Sequence, residues 1–263
     1  MDKLLKADLY RIVKSKLFLI ICIITGALPI LTVLLYKGVE LLSSAVSDFA
    51  DIGGLVLSGR QLIGESFILS SNMGLILPIF ITIFVAMDIS NGTLRNKIIA
   101  GRSRTAIYFS HLISACAVSG VLILVNVAIF FGLTCLVFGY GAPIDRAELV
   151  RIVYFLVTGL FTFFFSASVS TAITLSIKSS APAVIISVLI GMGLSIVASL
   201  VHTADPTLTN KWFCLIPTYT NTAFLAAGRF PAEAFWLGLL SLIVSCGLMT
   251  VLGLFIFKKN DVK

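Results

Sequence analysis

Charged residues are scarce in this chain of 263 residues. Asp, Glu, Lys and Arg together make up 12% of the sequence, whereas soluble domains carry about 25%. Hydrophobic residues account for 59%, and the mean hydropathy is +1.10. This composition excludes an ordinary soluble protein and favours a membrane protein. The formal charge of +7 does not indicate nucleic-acid binding, because the cations follow the loops between apolar segments, as they do when they set membrane topology.

The sequence also lacks the motifs that carry common enzyme chemistry. It contains no Gly-x4-Gly-Lys-Ser/Thr loop to hold ATP phosphates, no HExxH and no GxSxG. The two histidines, His111 and His202, lie far apart along the chain. The centres of the apolar segments lack the carboxylates that many ion-coupled transporters place within their spans. We therefore expect no catalytic residue, no cofactor-binding residue and no metal ligand in this chain.

The five cysteines show neither CxxC nor metal-ligand spacing. Cys214 falls in a predicted external loop, which leaves both a free thiol and an intersubunit disulfide open. The other four fall inside apolar segments, where we expect them to be small packing residues: Cys22, Cys116, Cys135 and Cys246.

Apolar runs of about 20 residues recur along the chain, and a helix of that length crosses the roughly 30 Å hydrocarbon layer of a bilayer. We therefore predict an all-α, polytopic membrane protein with six spans and a single transmembrane domain over residues 1–263. An excess of Lys and Arg in alternate loops places both termini in the cytoplasm. The predicted spans are residues 17–36, 66–87, 107–138, 149–177, 183–201 and 234–257.

Residues 1–16 form an amphipathic segment before the first span. Leu5, Leu9 and Val13 gather with Leu4 and Ile12 on one side of a helix, and five cations line the rest of it. This pattern predicts a helix in the cytoplasmic headgroup layer rather than a plain basic tail.

The stretch 88–106, between spans 2 and 3, is the most informative part of the sequence. Asn91-Gly92 is a turn signal. Thr93 is suited to cap a short helix, and Gly101 is suited to end it. The sequence therefore predicts about two turns of helix that lie across the cytoplasmic ends of two spans.

One face of this short helix is predicted to be apolar. Leu94, Ile98 and Ile99 share that face at 3.6-residue spacing, while cations occupy other positions. Two interpretations are open. The helix could dock its apolar face in a groove of a soluble partner, with its cations against acids at the rim. Alternatively, the loop is an ordinary basic loop that only sets topology.

The same loop resembles a known family. Residues 91–97, Asn-Gly-Thr-Leu-Arg-Asn-Lys, followed by Gly101-Arg102-Ser103-Arg104 and Tyr108, look like the NGT(I/L)xNK…GxSR…Y segment of bacterial ABC-2-type permeases. Those proteins are the membrane subunits of ATP-driven exporters, and in them this loop is the coupling helix that touches the ATPase. The whole chain is similar in hydropathy and loop lengths. The ATPase-docking residues that the resemblance implies are Thr93, Leu94, Arg95, Lys97, Ile98, Ile99 and Arg102.

The resemblance implies a permease subunit that is not itself an enzyme and that moves its cargo outward. Apolar, phenylalanine-rich spans favour an amphipathic cargo. The cargo would be an antimicrobial peptide, a drug or a lipid-like molecule. A separate cytoplasmic ABC ATPase would bind ATP and Mg, and a second permease subunit, identical or different, would complete the dimer in the bacterial plasma membrane. Membrane lipid is a further expected partner, and nucleic acid is not. Two alternatives remain open: a non-transporting membrane anchor or signalling partner, and a secondary transporter or channel.

Predicted span 5 carries a small residue at every fourth position, which lets another helix approach closely. The pattern leaves open whether the approaching helix belongs to the same chain or to a dimer partner. The stripe comprises Ala183, Ser187, Gly191, Ser195 and Ser199. The next stretch, 202–233, is predicted to be an external loop with short helices, anchored at the membrane surface by Trp212 and Tyr219.

Overall fold

The computed structural model describes residues 2–45, 66–69, 71–141, 145–204, 211–221 and 232–259. Within these ranges every regular element is a helix. The α-helices are α1 (Asp2–Lys14), α2 (Lys16–Ala45), α3 (Asn72–Ser90), α4 (Thr93–Ile99), α5 (Arg104–Phe138), α6 (Arg146–Ile177), α7 (Ser180–Ala204) and α8 (Ala232–Lys259). A short 3-10 helix covers Lys211–Leu215.

Six of these helices, α2, α3 and α5 to α8, are long and apolar enough to cross a membrane. This indicates a multi-pass membrane protein, and it confirms the predicted all-α class and the six predicted spans. The two remaining α-helices, α1 and α4, are 13 and 7 residues long. Both are too short to cross the hydrocarbon layer, because a residue advances a helix by only about 1.5 Å.

The predicted ends of the first two spans differ from the observed helix ends. The loop expected from residue 37 starts as helix, because α2 continues to Ala45. Lys37 donates to Glu40 over 2.8 Å, an i,i+3 ion pair that lets two charged residues continue the helix. At the other side, α3 begins at Asn72 rather than at residue 66, because residues 66–69 form a turn. The rest of the predicted loop, residues 46–65, lies outside the described residues.

Helices α3 and α6 form the centre of the bundle. More than half of each apolar span is buried, whereas only about a fifth is buried in α2, α7 and α8. Helix α6 packs against α3, α5, α7 and α8. The outer helices leave Leu, Ile and Val side chains exposed along their length. In a protein with six apolar spans, such faces suit lipid rather than water.

A proline kink explains one polar contact between spans. Pro29 lies inside α2 and has no N–H, so the carbonyl oxygen of Thr25, four residues earlier, loses its helical donor. Asn126 of α5 fills this position: its Nδ2 donates to that oxygen over 3.1 Å. Asn126 therefore forms a hydrogen bond between two spans.

The bundle has two ends that can be told apart by their contacts. At one end, α1 and α4 lie with the end of α3, the start of α5 and the ends of α6 and α8. We call this the α4 end. At the opposite end, the 3-10 helix packs against α8 and buries Cys214, which is 1% exposed and free. Residues 205–210 and 222–231, which belong to the predicted external loop, lie outside the described residues.

Candidate functional site

Two flanking glycines fix where the short helix α4 begins and ends. Its N-cap is Gly92, at a φ of 68°, a left-handed conformation that favours glycine. The predicted cap, Thr93, is instead the first helical residue, and its hydroxyl donates to the carbonyl of Asp88 over 3.0 Å. Gly101, at a φ of 77°, follows the helix end as predicted. Together these two turns place α4 across the ends of α3 and α5.

Four charged side chains from α1, α3 and α4 meet at the α4 end of the bundle. Lys97 Nζ donates to Asp8 Oδ1 over 2.7 Å and to Asp88 Oδ2 over 3.0 Å. Arg11 Nη1 donates to Asp88 Oδ1, and its Nη2 lies 3.8 Å from Asp8 Oδ1. Asp8 and Asp88 are 2% and 1% exposed. Two buried carboxylates are therefore balanced by two cations, which meets the condition under which buried charges are tolerated.

The start of α5 completes this polar cluster. Ser110 is fully buried, and its hydroxyl donates to Asp8 Oδ2 over 2.7 Å. His111 is also buried, and its Nε2 lies 3.3 Å from Asp88 Oδ2. The cluster, which we define as Asp8, Arg11, Asp88, Lys97, Ser110 and His111, joins side chains from α1, α3, α4 and α5.

Sequence reasoning did not find this cluster. The sequence pattern predicts a helix that is apolar on one side and basic on the other, but the inward face of α1 carries Leu4, Asp8 and Ile12 at four-residue spacing. These three residues are buried, and α1 packs against α5. Val13, expected on the apolar side, is 58% exposed. The feature of the sequence that could have indicated the cluster is Asp8, a single acid among the apolar residues of this face. A buried carboxylate needs a cation as its partner.

The structure divides the predicted docking residues into two groups. Leu94 is 3% exposed and packs into the chain's own core, and Ile98 packs partly against it. Lys97 is held in the cluster. In contrast, Ile99 is 73% exposed, and Arg95 and Arg102 are exposed as well. Leu94, Ile98 and Ile99 therefore do not form one exposed apolar face, contrary to the prediction. Helix α4 has only seven residues, and the side that carries Leu94 already packs against the spans.

The small-residue stripe of α7 faces the chain's own bundle over most of its length. Ala183, Ser187, Gly191 and Ser195 are buried, and α7 packs against α3 and α6. Ser199 is exposed, and its hydroxyl donates to the carbonyl of Ser195 over 3.0 Å. Small side chains favour helix contacts of this kind, although a Cβ on Gly191 would meet nothing within 4 Å. The four buried positions therefore pack within the chain, and whether a second subunit also contacts this helix stays a prediction.

A cavity of about 510 Å3 lies between α2, α3 and α5, on the side away from α4. Thr32, Asn72 and Asn126 supply polar groups, and Leu28 and Phe130 supply apolar walls. None of the described lining residues is charged. Its volume is in the range of small-molecule pockets. In the part of the chain that the structure describes, no group of three or more His, Cys, Asp or Glu side chains is arranged to hold a metal ion.

Comparison with known proteins gives one family match. The model of the family described as "Protein of unknown function (DUF2705)" matches residues 15–263 of the chain. The matched region begins at the junction of α1 and α2 and includes α4 and all six spans. No curated protein matches the chain.

Proposed function

We propose that this chain, which belongs to the DUF2705 family, is the membrane-spanning subunit of an ATP-driven exporter of the ABC-2 type. In this proposal the α4 end and both termini face the cytoplasm, α4 is the coupling helix, and α1 lies in the headgroup layer. A separate cytoplasmic ATPase binds ATP and Mg. The observation that carries the proposal is the division of α4 into an anchored side, with Leu94 and Lys97, and an exposed side, with Arg95 and Ile99.

The anchored side supports a role in transmitting force. A flexible basic loop would bend when a partner pushed on it. Helix α4 instead meets α1 and α3 through the Lys97 ion pairs and meets the core through Leu94. A displacement of α4 by a docked ATPase would therefore move these helices with it. This movement would shift the equilibrium of the bundle between its inward- and outward-facing states.

The span interior supports an amphipathic cargo. The cavity of about 510 Å3 combines apolar walls with hydroxyl and amide groups and has no charged lining residue among the described ones. Such a lining suits a molecule with both apolar surface and uncharged hydrogen-bonding groups. As in the family that the chain resembles, a second permease subunit would complete the transporter.

The sharpest test uses Ile99, because its side chain is the most exposed apolar group on α4. Ile99→Asp should leave expression and membrane insertion unchanged, since the side chain makes no contribution to the core. The same change should abolish co-purification of an ABC ATPase that binds the wild-type chain, or its cargo-stimulated ATP hydrolysis, because a charge in an interface core must be desolvated. Ile99→Leu is the matched control, because it keeps an apolar side chain at the same exposed position and should keep ATPase binding.

Neighbouring variants refine this test. Ile98→Asp is less informative than Ile99→Asp, because Ile98 also packs partly on the core and its change would disturb the fold. Arg95→Ala should weaken ATPase binding in a salt-dependent way, as expected for an exposed cation at an interface. Full ATPase recovery and full transport with Ile99→Asp would contradict the docking role. A wild-type chain that binds no ABC ATPase would instead favour the membrane anchor or the secondary transporter.

A further inference from the structure

The cavity between α2, α3 and α5 contains hydrogen-bonding atoms that the described part of the fold leaves unused. Ser66 and Asn126 line it and are 8% and 6% exposed, so both residues are almost fully buried. Asn126 Nδ2 donates to the Thr25 carbonyl, but within the described residues its Oδ1 accepts no hydrogen bond and Ser66 Oγ forms none. The buried Oγ of Ser71, a third lining residue, also lacks a partner there. We call this cavity the Asn126 cavity.

Unused hydrogen-bonding atoms are costly in such a place. A buried polar group without a partner loses free energy on folding, so most buried polar atoms have one. The same cavity shows a pair that is satisfied: Thr32 Oγ1 donates to the Leu28 carbonyl over 2.9 Å and accepts from Asn72 Nδ2 over 3.2 Å. Polar side chains inside a membrane-spanning bundle commonly mark substrate pathways. The unused atoms are therefore the groups that a bound ligand would contact.

The orientation of the Asn126 amide limits what the ligand must supply. Nδ2 donates to a backbone carbonyl, which can only accept, so the other amide atom is Oδ1, an acceptor. A ligand group beside Oδ1 must therefore carry an N–H or O–H. The Ser66 hydroxyl can donate as well as accept, so it can bind a carbonyl oxygen. A carboxamide supplies the N–H and the carbonyl oxygen in one uncharged group.

The other lining residues indicate the rest of the ligand. Leu28 and Leu35 of α2 and Phe130 of α5 give the cavity apolar walls, and none of the described lining residues is charged. An ionised headgroup would lack a counter-charge there, and a plain acyl chain would leave the polar atoms unused. The volume of about 510 Å3 lies within the roughly 300 to 1,000 Å3 that is typical of small-molecule pockets. The lining favours a small uncharged molecule with an apolar chain and a carboxamide.

We propose that the Asn126 cavity binds an uncharged amphipathic molecule through a carboxamide group. Asn126 Oδ1 accepts a hydrogen bond from the N–H of that group, and Ser66 Oγ donates one to its carbonyl oxygen. The apolar chain of the ligand packs against the leucine and phenylalanine walls. The ligand is the cargo in the proposed function, and only that assignment rests on the proposed function.

The test measures the binding of tritium-labelled decanamide to the full-length chain in nanodiscs by scintillation proximity. Empty nanodiscs give the signal that comes from partition into lipid. The matched competitor is N,N-dimethyldecanamide, which keeps the alkyl chain and the carbonyl oxygen but has no N–H. The wild-type chain should bind decanamide with a Kd about fivefold lower than that of the dimethyl compound, the effect of about one hydrogen bond.

Variants separate the two halves of the carboxamide. Asn126 is changed in a Pro29→Ala background, because alanine supplies the helical N–H that the Thr25 carbonyl then needs. Pro29→Ala alone should keep the preference for decanamide, and Pro29→Ala with Asn126→Leu should lose it. Ser66→Ala should weaken the binding of both compounds about fivefold, because both keep the carbonyl oxygen. Ser119→Ala is the control, since it removes a buried hydroxyl of α5 that lies outside the cavity and should leave both Kd values unchanged.

The outcomes distinguish this proposal from the proposed function. Equal Kd values of the two compounds for the wild-type chain would overturn the proposal. A preference that survives Asn126→Leu would also overturn it, because a steric effect of the methyl groups needs no Oδ1. If the wild-type chain binds an ABC ATPase but not decanamide, the cavity proposal is wrong while the proposed function stands. If the chain binds decanamide with the expected preference but binds no ABC ATPase, the proposed function is wrong while the ligand site stands.

Discussion

Lys97 Nζ lies 2.7 Å from Asp8 Oδ1, although the two residues are 89 positions apart in the sequence. The same ammonium lies 3.0 Å from Asp88 Oδ2. One side chain of α4 therefore holds an acid of α1 and an acid of α3 at the same time. This arrangement makes α4 part of the helical bundle rather than a loop on its surface.

The first prediction concerns the ion pairs of Lys97. Lys97→Met should lower the free energy of unfolding by about 3 kcal/mol, because it leaves two buried carboxylates short of a cation. Arg95→Met on the same helix is the control and should change stability by less than about 0.5 kcal/mol, since Arg95 is exposed. Thermal unfolding in detergent, followed by the loss of monodisperse protein, measures both. Equal stability of the two variants would show that the cluster contributes no net stabilisation.

The second prediction concerns close packing between α8 and the core. A Cβ on Gly253 would overlap the Tyr108 hydroxyl and the Ala172 methyl group, whereas a Cβ on Gly247 would meet nothing within 4 Å. Gly253→Ala should therefore destabilise the protein by about 1 to 3 kcal/mol, in the range of overpacked cores. Gly247→Ala, in the same helix, should be neutral or slightly stabilising because alanine favours helix. The same thermal assay separates them, and the reverse order of stability would contradict the packing of α8.

The third prediction couples Asn126 to Pro29. Asn126→Leu should cost about 1 kcal/mol, because the carbonyl of Thr25 then lacks a donor inside an apolar span. In a Pro29→Ala background the cost should fall, because alanine supplies the missing helical N–H. A double-mutant cycle measures this coupling. Additive effects of the two changes would mean that the Asn126 hydrogen bond does not compensate for the proline.

The fourth prediction concerns the Cys214 thiol. Burial raises the pKa of this thiol above its ordinary value, so less of it is thiolate, the form that reacts with maleimide, at neutral pH. In a variant that keeps Cys214 as its only cysteine, labelling should be slow at pH 7 and should accelerate as the pH rises towards the raised pKa. Trp212→Cys combined with Cys214→Ser places a thiol at an exposed position of the same short helix and should react faster. Equal rates for the two thiols would contradict the burial of Cys214.

Much of the fold could be predicted from the sequence because the signals are local. The six spans follow from apolar length alone, since each helix must satisfy its own backbone hydrogen bonds in a bilayer. The turn at Asn91-Gly92 and the helix end at Gly101 follow from glycine's access to positive φ, which the structure shows at both glycines. The predicted ends of the spans were less accurate, as at Ala45, because an i,i+3 ion pair let charged residues continue the helix.

The residues of the α4 end could not be assigned from the sequence, because their roles depend on contacts between distant segments. By itself the sequence determined that a short basic helix joins two spans and that small residues line one face of α7. The tertiary structure decided that Leu94 points into the bundle while Ile99 points out, and that Lys97 is held by acids from two other helices. The physical reason is that apolar length and glycine backbone preference act within a few residues. Burial and charge pairing depend on which helices meet, and neighbouring residues do not specify that.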